Sequence, residues 1–269
     1  MMHLFKYICL LTLVVHAPVR GDMPRGDLYL AFTQANQAFA RANENLDNPQ
    51  LARREYEKAI LEYERIIDQG GIKNVKLYYN LANAHLLGGN LGKAILNYRR
   101  AQRLDAADPD IHKNLTFARA RRLDKIPADA SERILQRLFF WHYDFSMKTR
   151  VILAGFAFAL LCIWLTLRIW LPRLPRLLPL CMILLVLIIA MASSAAAEQT
   201  LAGRNQSGVI LDEYVTARQG DGLNYPESFT EPLHEGTEFD LIQQRPGWLH
   251  IQLPDGTQAW IPASAAELI

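Results

Sequence analysis

Two apolar runs, residues 151–171 and 177–197, constrain this chain more than any other stretch. Each is about twenty residues long, which as a helix covers roughly the 30 Å hydrocarbon core of a bilayer. The first holds one charge, Arg168, near enough to its end to snorkel to the interface. The second holds none and ends in the small residues Ser193, Ser194, Ala195, Ala196 and Ala197. Pro172-Arg173-Leu174-Pro175-Arg176 joins them, a connection that admits only an antiparallel helical hairpin. A buried pair in a soluble core would need a large domain covering it on all faces, and the flanks do not supply one. The chain reads as an integral membrane protein.

With 269 residues, the chain has room for this hairpin and two modest soluble domains, one on each side. A net charge of +2 argues against nucleic acid as a partner, because phosphate binding needs a concentrated basic face. Cys9 lies in an N-terminal apolar stretch, and Cys162 and Cys181 lie in the two runs. Neither soluble part can therefore form a disulfide or a cysteine metal site. Cys162 and Cys181 read as small apolar residues, with a pairing between them left open.

Residues 1–21 read as a secretory signal, with Lys6 before an apolar core too short to span. Arg168, Arg173 and Arg176 make the hairpin loop basic, and such loops stay cytoplasmic. Lys148 and Arg150 at the outer end of the first run dissent. The leader and the short loop outweigh them, since exported domains translocate largely regardless of charge. The expectation is a bacterial inner-membrane protein with both soluble domains periplasmic.

Residues 22–126 are patterned as helices. The clearest unit, residues 75–106, resembles a tetratricopeptide (TPR) repeat, the helix–turn–helix unit of roughly 34 residues. Its signature positions hold Tyr78, Leu81, Ala82, His85, Ala94, Tyr98 and Ala101, with a turn at Gly88-Gly89-Asn90. The alanines allow close helix approach and the larger residues fill the space between. A looser repeat precedes it, with Phe32, Ala35, Asn36 and Phe39 on one face and Tyr56, Ala59, Ile60, Tyr63 and Ile66 on the next. Residues 41–53 between these faces exceed the repeat, with 45–49 expected as an exposed loop. Residues 110–122 supply a capping helix.

In such stacks the first helices line a peptide groove. The positions fall here on Tyr79, Asn80, Asn83, Leu86 and Leu87, and on Lys113, Asn114 and Phe117. Asn80, Asn83, Asn114 and Lys113 are suited to hold the backbone and an acidic end of an extended peptide. Ordinary solvated polar residues are the competing reading. His85 and His112 read as packing and surface residues, because no second ligand falls at metal spacing.

Residues 127–150 interleave Leu138, Phe139, Phe140, Trp141, Tyr143 and Phe145 with Arg133, Arg137 and Lys148. This is expected as an amphipathic collar at headgroup level, or else as a face for a partner helix. Residues 203–269 break into short alternating segments at 208–217, 237–243, 247–253 and 258–261, joined by glycine turns. A small β-barrel follows. Val215-Thr216-Ala217-Arg218, Leu233-His234-Glu235-Gly236-Thr237, Gly247-Trp248-Leu249-His250-Ile251 and Asp255-Gly256-Thr257-Gln258-Ala259-Trp260-Ile261 resemble a bacterial SH3-like domain. The resemblance implies an aromatic shelf for peptide or cell-wall stems, with Tyr214, Tyr225, Trp248 and Trp260 as candidates. Trp248 and Trp260 also suit the core.

The fold class is thus a multidomain membrane protein with an α-helical TPR domain, a transmembrane hairpin and a small SH3-like β-barrel. That order resembles the BatE-type proteins of the bacterial aerotolerance (Bat) group. Echoes are Phe32-Thr33-Gln34-Ala35-Asn36, Leu77-Tyr78-Tyr79-Asn80-Leu81, the stretch from Lys93 to Ala101, and Asp110-Ile111-His112-Lys113-Asn114-Leu115. The resemblance implies an assembly with membrane proteins carrying von Willebrand A domains and a MoxR-type ATPase. The exported parts have no cysteine nucleophile, no Gly-x-Ser-x-Gly elbow and no paired histidines, and phosphate-loop and dinucleotide fingerprints are missing. The expectation is a non-enzymatic scaffold without cofactor or metal. A membrane-anchored module that binds peptidoglycan is the alternative.

Overall fold

The computed structural model describes residues 23–127, 137–143, 145–171, 177–201 and 206–269. The expected leader (1–21), the hairpin loop (172–176) and residues 128–136 of the aromatic segment lie outside the described residues.

Among the described residues, five helices come first: α1 (Arg25–Glu44), α2 (Pro49–Asp68), α3 (Val75–Gly88), α4 (Leu91–Leu104) and α5 (Pro109–Ala120). Their starts are written in local chemistry. Asn48, Asn74 and Asp108 each accept a backbone N–H of the first turn, from Leu51, Leu77 and both Asp110 and Ile111 respectively. Pro49 and Pro109 occupy first helical positions, where no N–H is needed. Gly89, at φ 92°, ends α3 in the left-handed conformation and makes the tight turn into α4.

The residues in excess of a repeat do not form a long loop. They lengthen both helices of the first pair to 20 residues and leave a short turn around residues 45–48. Ala42 and Ala52 are the reason, because they are buried with Tyr56 and so give the added turns an apolar face of their own.

Successive helices pack as a layered stack. Ala31, Ala35 and Ala38 of α1 meet Ala59, Ile60, Tyr63 and Ile66 of α2 and Leu77, Leu81 and Ala84 of α3. Ala82 of α3 then meets Ala94, Ile95 and Tyr98 of α4 and Leu115 and Ala118 of α5. A continuous core runs through neighbours that individually could not bury one face.

A helical turn at Phe140–Tyr143 precedes α6 (Met147–Trp170) and α7 (Leu178–Leu201), two helices long and apolar enough to cross a membrane. Arg150 at the start of α6 donates to Ser194 Oγ near the end of α7 at 2.8 Å, so the two run antiparallel. Ala157, Met191, Ser194 and Ala195 are buried, and the small ones among them let the backbones come close. Many of the other apolar side chains are exposed, among them Phe156, Phe158, Ile163, Ile183 and Val186. Phe139, Phe140, Trp141 and Phe145 form an edge-to-face cluster beside the start of α6, with centroids 5.4–6.1 Å apart.

Among the described residues, seven short strands follow: β1 (Ser207–Ile210), β2 (Tyr214–Val215), β3 (Leu233–His234), β4 (Glu238–Arg245), β5 (Trp248–Gln252), β6 (Gln258–Pro262) and β7 (Ala266–Leu268). Five form an antiparallel sheet in the order β6-β5-β4-β1-β7, and β2 pairs with β3. Phe239, Leu249, Ile251, Ala259 and Ile261 alternate into a core shared with Ile210, Val215 and Leu233. Gly236, Gly247 and Gly256 take the positive φ that its turns demand.

Candidate functional site

The sheet does not hang free of the helical stack. Strand β1 is buried on both faces: Ile210 points into the sheet core, while Val209 joins Ile95, Leu96 and Leu115 in the core of the stack. Alternation along a strand sends neighbours to opposite faces, so a run of consecutive apolar residues reports cover on both sides. Gly92 permits this approach, because a Cβ there would lie 2.8 Å from the Ile210 carbonyl oxygen.

Charge follows the same register. Glu238 pairs with Val209 across the β1–β4 ladder and therefore faces the helices too. It accepts two 2.7 Å hydrogen bonds from Arg119 and one of 3.2 Å from Arg122, and Arg99 lies 3.2 Å away. Burial alone would raise the Glu238 carboxyl, but the Arg119 hydrogen bonds and the three guanidinium charges hold it below the usual carboxylate value. Beyond α5, Asp124 accepts from the His234 and Thr237 side chains and from the His234 backbone N–H, at 2.6–2.8 Å. Burial pushes Asp124 up, and these bonds, led by that from Thr237, outweigh it and lower it. Arg100 reaches Glu267, and Arg103 reaches the Ile269 carbonyl. The stack and the sheet thus form one head.

On the other side of α3, three of the expected groove residues meet. Asn114 of α5 donates to the Tyr79 hydroxyl at 2.9 Å and to Asn83 Oδ1 at 3.0 Å, and Asn83 also accepts from the buried Tyr98 hydroxyl. The first helix pair repeats the device: Tyr63 donates to Asn36 at 2.6 Å and Tyr56 to Asn43 at 2.7 Å. Burial raises Tyr98, and raises Tyr63 to about 12, so both remain protonated donors. Asn80 is half-buried near Tyr63, whereas Leu87, Lys113 and Phe117 are exposed. The structure brings Tyr79, Asn83 and Asn114 together and gives their polar groups internal work. Leu87 and Lys113 are left to solvent.

Compared with protein-family models, curated proteins and solved structures, the chain matches none.

Of the expected shelf, Trp260 is closed: His250 stacks on it at 4.6 Å and Arg245 lies 4.9 Å from its ring centroid. Trp248 is half-buried in β5. Tyr214 and Tyr225 are exposed, the latter lying over Gly220, where a Cβ would stand 2.6 Å from its ring. Sequence reasoning missed Glu238, Asp124, Arg99 of α4, Arg119 of α5 and Arg122 just beyond it as a unit. The readable signal was Val209-Ile210-Leu211, whose three apolar residues in succession break the pattern of a one-faced strand.

Proposed function

We propose that this chain is a non-enzymatic inner-membrane scaffold. In this reading α1–α5 are TPR-like repeats, the strands an SH3-like barrel, and α6 and α7 a hairpin that returns the chain to the periplasm. The observation that carries the proposal is the docking of Val209 and Glu238 on α4 and α5. It makes one rigid head from two folds whose kinds elsewhere bind peptides. A rigid head held at the membrane presents its groove in a fixed orientation and loses little entropy on binding.

The partners proposed are envelope proteins of the Bat type, namely membrane proteins carrying von Willebrand A domains and, through them, a MoxR-type ATPase. Leu87, Lys113 and Phe117 would make contact, beside the Tyr79–Asn83–Asn114 network that fixes the groove wall. A photo-crosslinker at Leu87 of the full chain in intact cells should capture a von Willebrand A protein. Capture of nothing, or of cytosolic proteins alone, overturns the proposal. Reporter fusions after residues 24 and 199 should both be active in the periplasm.

The exposed Tyr214 and Tyr225 favour one second reading, a cell-wall binding module. Membranes bearing the full chain should then pellet with isolated sacculi, and Tyr225→Ala should abolish it.

A further inference from the structure

Docking of the sheet creates a cleft of about 390 Å3 between α2, the α3–α4 turn and the β-domain. Six polar side chains line it: Glu57, Glu64, His85, Asn90, Lys93 and Glu235. His85 is 2% exposed, and neither ring nitrogen has a hydrogen-bond partner among the described residues. Its Nε2 stands 3.6 Å from Glu64 Oε1, too far for a hydrogen bond. Nε2 therefore has only the longer-range contact with Glu64, and Nδ1 has no partner among the described residues, a costly arrangement that favours a further group beside the ring. Asn90 caps α4 without using its side chain. Of the cleft's three carboxylates, Glu64 lies 3.4 Å from the Lys93 ammonium, Glu57 pairs with Arg53 at 3.3 Å on the solvent side, and Glu235 accepts the Gly92 N–H at 3.3 Å. Leu61 and Leu211 add an apolar wall.

We infer that this cleft receives an arginine side chain from a partner protein. A guanidinium presents five N–H donors in a plane and no acceptor, which matches a site rich in acceptors: carboxylates with lone pairs to spare, an amide oxygen and an imidazole nitrogen. The methylene stem lies along Leu61 and Leu211, as long cationic side chains commonly do on apolar surface. The cleft opens between α2 and the sheet, apart from Leu87 and Lys113, so it is a second contact rather than part of the groove. It exists only because the two folds are docked, and a chain with separated domains would not have it. The inference rests on the scaffold reading solely for the arginine belonging to another protein.

The test uses the full chain in nanodiscs, labelled with 15N-histidine and titrated with acetyl-Gly-Arg-Gly-amide or acetyl-Gly-Glu-Gly-amide. The arginine peptide should shift one imidazole saturably in the millimolar range, and the glutamate peptide should not. Lys93→Gln, which removes the competing ammonium, should tighten binding by about threefold, and Glu57→Lys should weaken it by about tenfold. Both side chains reach solvent, and unchanged melting of each variant shows that the fold is intact. Absence of a saturable shift, an equal response to the glutamate peptide, or weaker binding by Lys93→Gln overturns the inference. These outcomes are independent of crosslinking at Leu87, so failure of the cleft and failure of the scaffold reading are distinguishable.

Discussion

The Glu238 carboxylate takes both of its 2.7 Å hydrogen bonds from the single guanidinium of Arg119, 119 residues earlier in the chain. Between them lie the aromatic segment and both membrane-length helices, so this pair closes a loop around the whole hairpin. A bidentate, mostly buried contact of this kind is stronger than an exposed ion pair, and it fixes orientation as well as distance.

Removing the carboxylate should therefore cost more than a surface substitution. Glu238→Gln leaves Arg99, Arg119 and Arg122 gathered without their anion. We expect a loss of about 2–3 kcal/mol in the stability of the head. Chemical denaturation of the full chain measures it, and faster hydrogen exchange in β1 and β4 locates it. Unchanged exchange there would mean that the docking does not depend on this cluster.

Glycine geometry separates turn strain from docking. Gly236→Ala meets two obstacles, a φ of 84° and Ile95 Cδ1 at 3.0 Å from the new Cβ, whereas Gly247→Ala meets only a φ of 78°. Both should lose about 1–2 kcal/mol to backbone strain. Gly236→Ala should lose more, and the difference in denaturation midpoint reads the closeness of sheet and stack.

The junction should also respond to acid. Glu238 and Asp124 both titrate below their usual values of 4.5 and 3.8 in the folded protein. A depressed carboxyl stabilises the folded state above its unfolded pKa, and that contribution disappears as pH falls through the folded one. Stability contributed by the junction should thus be complete at neutral pH and decline below about pH 4. Melting temperature against pH checks this, and Glu238→Gln should flatten part of the decline.

In the groove, structure and binding should be separable by residue. Asn83→Ala strips the acceptor from the buried Tyr98 hydroxyl, at a cost of about 1–3 kcal/mol. Lys113→Glu, on an exposed side chain, should leave the melting temperature within about 1 °C of the original while reducing capture from Leu87. If both variants lose capture in proportion to stability, the groove residues only support the fold.

Much of this architecture was legible locally. Caps at Asn48, Asn74 and Asp108, the Gly89 turn, and the alanine spacing of α3 and α4 all act within a few residues, so the chain declares them in order. The same holds for the two apolar helices and for Gly236, Gly247 and Gly256 between strands. The expected groove positions follow from helical period, but the period cannot say that Asn83 and Asn114 would bond to each other and to tyrosines. Around the turn at residues 45–48, the excess of 41–53 goes into longer helices, which the sequence does not announce because Ala42 and Ala52 are too small to mark an apolar face without their partner Tyr56.

The helices, their order and the two membrane-length helices follow from short-range periodicity and composition, which the amino-acid order carries directly. Contacts across the fold alone put Val209 in the helical core, bring Glu238 to Arg99 of α4 and Arg119 of α5, and set His85 at the cleft beside the sheet. Those outcomes depend on which surfaces meet after the chain has returned through the hairpin. Contact between residues more than a hundred positions apart leaves no period in the sequence, because burial and charge pairing act through space rather than along the backbone.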